Sequence, residues 1–173
     1  MKTSTFALIA GVIYLGLGIL GLIPAALLPP SIDAPPTNFT LLYGYLLGLF
    51  PVNLLHSLMN IVVGAWGISA WSGRSSSISF ARGLAVLFGA LAVLGMFPVL
   101  NTMLGMIPID GNDVWLHGIT AVIAAYFGWR QPAALRERRH ILGDRRQRMF
   151  PIARERRLGL ADRREGFEGM SPA

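Results

Sequence analysis

Long apolar stretches, separated by short polar or proline-rich ones, dominate the chain. Phe6–Leu28 is almost unbroken apolar sequence, more than the ~20 residues a helix needs to cross a bilayer. It predicts a first transmembrane helix, ended by Pro24 or by the Pro29–Pro30 pair. Lys2 gives it a signal-peptide-like start. The run nevertheless exceeds the ~7–15 apolar residues of such a peptide, and further spans follow. A retained helix is expected, and the SIDAPPTN segment after it is a surface loop.

Leu41–Ala70 as one helix would run for about 45 Å, too long for a ~30 Å hydrocarbon core. Pro51 breaks it, because proline disfavours helix at the preceding Phe50 and suits the first turn of a new one. Leu41–Phe50 is therefore predicted as a short interfacial helix with Tyr43 and Tyr45 at headgroup level. Val52–Trp71 is the second span, closed by Trp66, Trp71 and the turn SGRSSS. The third runs from about Phe80 to Phe97, ending at Pro98. After a loop containing IPIDGND, the fourth runs from about Val114 to Trp129.

Charge orients these spans. Lys2, Arg74, Arg82 and every later arginine fall on one side, which the positive-inside rule makes cytoplasmic. Asp33, Asp110 and Asp113 fall on the other. The expected fold class is all-α: a four-transmembrane-helix bundle with both termini cytoplasmic. Residues 1–132 form the membrane domain and 133–173 an arginine-rich cytoplasmic tail.

Composition narrows the chemistry. The net charge of +6 comes from the tail and does not mark a nucleic-acid-binding fold. Without cysteine there are no disulfides, no thiolate nucleophile, no thiolate-bound metal and no covalent c-type haem. Nor does the chain contain a phosphate-binding glycine loop, a paired carboxylate or a Ser-His-Asp arrangement, so no catalytic residue is assigned.

One stretch is unusual for a membrane span. In PVNLLHSLMNIVVGAWGISAW, Asn53, His56 and Asn60 recur at i, i+3 and i+7, and Gly64 and Gly67 continue their face. Lipid does not tolerate a polar stripe, so this face must meet another helix, a ligand or internal water. At the start of span four, Asp113 and His117 stand at i, i+4, where the carboxylate could orient the imidazole.

These five polar residues admit several chemistries. Hydrogen bonds between helices would join them as packing glue, worth about 0.6 kcal/mol each. Axial ligation of haem b or a chlorophyll-like pigment by His56 and/or His117 is the alternative. A proton or metal site near the outer face is a third. Two histidines and one aspartate are too few for a closed zinc site without further ligands, so no metal is assigned. Proton-coupled export, which relies on a carboxylate deep in a span, is not expected.

The halves of the chain echo each other. ILGLIP (Ile19–Pro24) ends span one and VLGMFP (Val93–Pro98) ends span three. Leu-His opens span two at His56 and span four at His117. A 2+2 duplication would relate the halves by an axis along the membrane normal and put the two histidines at one depth. Gly11, Gly18 and Gly21 in span one, and Ala85 and Gly89 in span three, suit close helix contacts.

The tail repeats itself too: RERRHILGDRR (Arg136–Arg146) recurs as RERRLGLADRR (Arg154–Arg164), five helical turns later. Pro151 should interrupt a helix between the copies. The tail reads either as a solvated segment that fixes topology or as one lying on anionic lipid, where clustered arginines gain about 1 kcal/mol each; nucleic-acid binding is not expected.

At Asn53, His56 and the Asp-x-Trp-Leu-His run of Asp113, Trp115, Leu116 and His117, the chain resembles a bacterial family of small four-helix membrane proteins catalogued as a domain of unknown function. The resemblance covers roughly Phe6–Trp129. It implies the fold and the two histidine positions, and no activity. The function expected is that of a non-catalytic structural or accessory subunit. It would pack against itself or a larger membrane complex, with haem or pigment binding as the alternative.

Overall fold

The computed structural model describes residues 1–32 and 34–135; Asp33 and the arginine-rich repeats of the tail lie outside the described residues. All but 133–135 belong to the unit Met1–Pro132, which is mostly helical. Its main elements are α1 (Thr3–Leu20), α2 (Leu54–Trp71), α3 (Ser77–Gly95) and α4 (Asn112–Ala125). Three of them, α1, α2 and α3, are long and apolar enough to cross a membrane. α4 runs directly into a π turn, Tyr126–Arg130.

Each terminus of these helices has a local cause. α1 ends at Leu20, with Gly21 as its cap, before Pro24 removes a backbone donor. Leu27 and Leu28 therefore leave the predicted first span and become strand β1 (Leu27–Leu28). Asn53 caps α2, its side chain accepting from the backbone N–H of His56 at 3.0 Å, and Ser76 caps α3 in the same way. The echoing hexapeptides ILGLIP and VLGMFP both fall where a helix stops, at the ends of α1 and α3.

The predicted interfacial helix at Leu41–Phe50 is overturned. That segment forms β2 (Gly44–Leu46) and β3 (Phe50–Val52), which with β1 make a three-stranded antiparallel sheet in the order β1-β2-β3. Tyr45 pairs with both Leu28 and Pro51. Two local features defeat the helix. Leu42, Leu47 and Gly48 have positive φ, which reverses the chain. At Gly44, a side chain would collide with the Leu28 carbonyl. Because nearly every residue here is apolar, the alternation that marks a strand was invisible in the sequence.

The helices associate as two hairpins, α1 with α2 and α3 with α4. Glycines let the first pair touch backbone to backbone. A Cβ on Gly11 would stand 2.8 Å from the Ile68 nitrogen, one on Gly18 2.7 Å from the Ser57 carbonyl, and one on Gly64 against Leu15. Gly89 is less critical, since a Cβ there would meet only the Ala121 methyl, at 3.8 Å. Between the hairpins lies a core of Phe6, Tyr14, Phe80, Leu84, Phe88 and Leu91, all buried. The outward faces stay apolar, with Val62 67% and Val122 72% exposed. A surface of that kind suits lipid rather than water.

At the end that carries the chain's first residue, polar contacts tie α1 and α3 to the end of α4. Thr3 donates to Gln131, and Gln131 donates to the Met1 carbonyl. The Arg82 side chain donates to the Gly128 carbonyl at 3.0 Å and stacks 5.6 Å from the Trp129 ring. That carbonyl is available because the residue four positions on, Pro132, has no N–H to donate to it.

Candidate functional site

At the opposite end, buried polar side chains converge. Asn53, His56, Ser57, Asn60, Asp113 and His117 are all buried, His117 completely. His56 sits in the first turn of α2 and Asp113 in the first turn of α4, with His117 one turn further along. The cluster thus straddles the two hairpins. The expectation that the stripe on span two faces inward is met: Asn60, Gly64 and Gly67 are buried as well.

Asp113, which its spacing on α4 sets beside His117, also meets His56: its Oδ2 stands 3.5 Å from His56 Nδ1, across the hairpin boundary. The two imidazole rings are tilted by 38° to each other, with centroids 6.0 Å apart. Phe88 of α3 stacks on His117 at 4.8 Å and fixes that ring from behind. Asn53 is not a helical member of the stripe but its cap.

Hydrogen bonds do not close this cluster. His56 Nδ1, Asp113 Oδ2 and both nitrogens of His117 are buried without a hydrogen-bond partner among the described residues, as is Asn60 Oδ1. One ligand atom from each of His56, Asp113 and His117 falls within 4.8 Å of the others. The carbonyls of Pro51 and Pro108 lie near the His56 ring. A proton on the nitrogen facing them leaves the other nitrogen's lone pair for the cluster.

Two loops cover the site. The Asn53 amide donates to the carbonyls of Phe39 (3.1 Å) and Met106 (2.6 Å), latching one loop to the other. The Gly105 carbonyl accepts from the backbone of Asn38 and Phe39. Asn112 at the start of α4 donates to the Leu49 carbonyl between β2 and β3. Leu42, Leu47, Met103 and Leu104 hold positive φ in this cap, conformations that cost roughly 1–3 kcal/mol each in non-glycine residues. Asp110 is half-buried in the same cap. Burial pushes its carboxyl pKa up, and its Oδ1 lacks a partner.

Some members of the site left no signal in the sequence. Tyr14 shares a hydrogen bond of 2.8 Å with Thr120 and packs its ring 4.7 Å from Phe88. It thereby joins α1 to α4 beneath the histidines. Ser57 and the Pro108 carbonyl likewise carry no motif of their own.

A family model described as a domain of unknown function (DUF4383) matches residues 4–130. The match includes all of Phe6–Trp129, the stretch that carries the resemblance. Neither the comparison with curated proteins nor that with solved structures gave a match.

Proposed function

The chain belongs to the DUF4383 family of unknown function, and from its buried cluster we propose a non-catalytic accessory subunit of a bacterial inner membrane. In this reading α4 and its π turn form a fourth span beside the three long apolar helices. Both termini are cytoplasmic, on the side of Lys2, Arg74, Arg82 and Arg130, and the His–Asp cluster lies at the outer end. The arginine-rich tail rests on anionic headgroups, and the lipid-facing surface is free for a second copy or a larger complex.

One observation carries the proposal: the polar residues of α2 and α4 are buried together, at the seam between two hairpins. Side chains buried to this extent give no access to a substrate, and a seam residue decides how hairpins dock. Haem or pigment ligation finds less support. A macrocycle needs open space beside its axial ligands, whereas the His117 ring is fully buried with Phe88 stacked 4.8 Å from it.

The test replaces both histidines by leucine, which keeps an apolar side chain of similar bulk. The variant is expected to lose membrane abundance and native-size assembly. Unchanged abundance and assembly would end the structural reading. An optical spectrum of the wild-type protein in mild detergent checks the other one, which predicts a Soret or pigment band.

A further inference from the structure

Resting on the reading of this cluster as the joint between hairpins, we infer that the joint is closed by one divalent first-row transition-metal ion, held by His56, Asp113 and His117. Position is the first argument. The three residues come from two helices, are almost fully buried, and bring their ligand atoms within 4.8 Å of one another. Asp113 and His117, one turn apart on α4, form a preset pair. His56 meets them from α2.

The orphaned atoms are the second argument. Four ligand-capable atoms, His56 Nδ1, Asp113 Oδ2 and both His117 nitrogens, have no hydrogen-bond partner among the described residues. Buried polar atoms are nearly always partnered, so a group of them around one point asks for a common partner. A proton shared between His56 and Asp113 would satisfy two of the four and leave His117 bare. A cation satisfies an atom on all three residues.

Charge supports the same conclusion. The carboxylates of Asp113 and Asp110 are near enough to repel, and the basic side chains Arg82 and Arg130 are engaged with or placed near the other end of the bundle. The Asp113 carboxylate offsets one charge of a divalent ion, and the neighbouring Asp110 carboxylate lowers the cost of burying the other.

The donor set selects the class of ion. Imidazole with carboxylate suits zinc and its first-row neighbours, whereas calcium and magnesium take oxygen ligands. Around zinc, with bonds of about 2.0–2.1 Å, tetrahedral ligands stand roughly 3.3 Å apart. The His56–Asp113 pair, at 3.5 Å, already has that spacing, and His117 has to draw in. The Pro51 and Pro108 carbonyls beside the His56 ring are the outer partners that ligating histidines use to fix their tautomer. Asp110, with its partnerless buried Oδ1, is the residue the fourth position would recruit. That addresses the shortage of ligands evident in the sequence.

The experiment uses the full chain, purified in mild detergent, stripped with a chelator and titrated with Co²⁺ and with Zn²⁺. Wild type is expected to bind one equivalent and to show the ligand-field bands of low-coordinate cobalt. Asp113→Asn and His117→Gln, close in size to the native residues, should lose at least about tenfold in affinity. His140→Ala, at the one remaining histidine, should not. Absence of a stoichiometric equivalent in wild type, or wild-type affinity in both cluster variants, overturns the inference.

Should those variants misfold, the wild type alone decides. Its thermal midpoint should rise with Zn²⁺ and fall with chelator, and a midpoint moved by neither overturns the inference. The two readings of the joint also fail separately. A His→Leu pair that abolishes assembly in a protein binding no ion keeps the joint and removes the metal. A bound ion with unchanged assembly does the reverse.

Discussion

A Cβ placed on Gly67 would stand 2.7 Å from the Cα of Gly11, so α1 and α2 meet at these two residues with no side chain between them. Neither backbone can give way without separating the pair, because the same contact is flanked by Gly64 against Leu15 and Gly18 against Ile61. Gly67→Ala should therefore destabilise the folded protein by about 1–3 kcal/mol, the usual cost of overpacking. Gly16 has nothing within 4 Å of its Cβ position, and Gly16→Ala should stay within about 0.5 kcal/mol of wild type. Unfolding curves in mild detergent measure both. Equal effects would mean that the helix contact is not as close as described.

Asn53 does two things that one substitution can separate. Its oxygen caps α2 through the His56 N–H, and its amide latches the loops at Phe39 and Met106. Asn53→Asp keeps the capping oxygen and loses the donors. Asn53→Ala loses both, and its cost should exceed that of the cap alone, about 1 kcal/mol. Hydrogen exchange at residues 38–40 and 105–107 should quicken in both variants. Fraying at the start of α2 should appear only with alanine. Identical exchange patterns would refute the division of labour.

How much of this was legible beforehand follows from the type of signal each feature leaves. Apolar length announces α1, α2 and α3, since no other demand on the chain produces so long a run. The inward face of α2 was legible too, because Asn53, His56, Asn60, Gly64 and Gly67 repeat at helical spacing. The sheet was not. Around Tyr45 the exposed and buried positions are both apolar, so the two-residue period has no contrast to show itself. Nor could the sequence tell that Asp113 would also meet His56, because spacing describes one helix and that contact depends on how two hairpins dock. Orphaned atoms such as those of His117 become countable only once every neighbour is in place.

Tyr14 and Thr120 share a hydrogen bond of 2.8 Å that runs from α1 to α4. Tyr14→Phe keeps the ring against Phe88 and removes only the hydroxyl. The double-mutant cycle with Thr120→Val should give a coupling of about 0.6 kcal/mol, with roughly 1.7 kcal/mol as the ceiling for such bonds between membrane helices. Unfolding free energies of the four proteins supply the number. A coupling of zero would show that water or lipid satisfies both hydroxyls equally well.

The loop over the site should loosen at high pH through Tyr43. Its phenol donates to the Pro35 carbonyl at 3.0 Å, and burial, helped by the neighbouring Tyr45 and Asp110, pushes its pKa from the usual 10 up to about 12. The folded protein thus favours the neutral phenol more strongly than the unfolded chain does. In the unfolded chain the proton leaves near pH 10, and in the folded one it is held until about 12. The stability contributed by the neutral phenol is therefore complete below the lower value and is lost as pH rises through that interval. Tyr43→Phe has no proton to lose. Wild type should exceed it in stability at about pH 8 by an amount near that of one hydrogen bond, about 1 kcal/mol, and the advantage should shrink by about pH 11. Denaturation midpoints of the two proteins at both pH values provide the comparison. A gap that does not change with pH would mean that the Tyr43 hydroxyl is in water and the loop is held by other contacts.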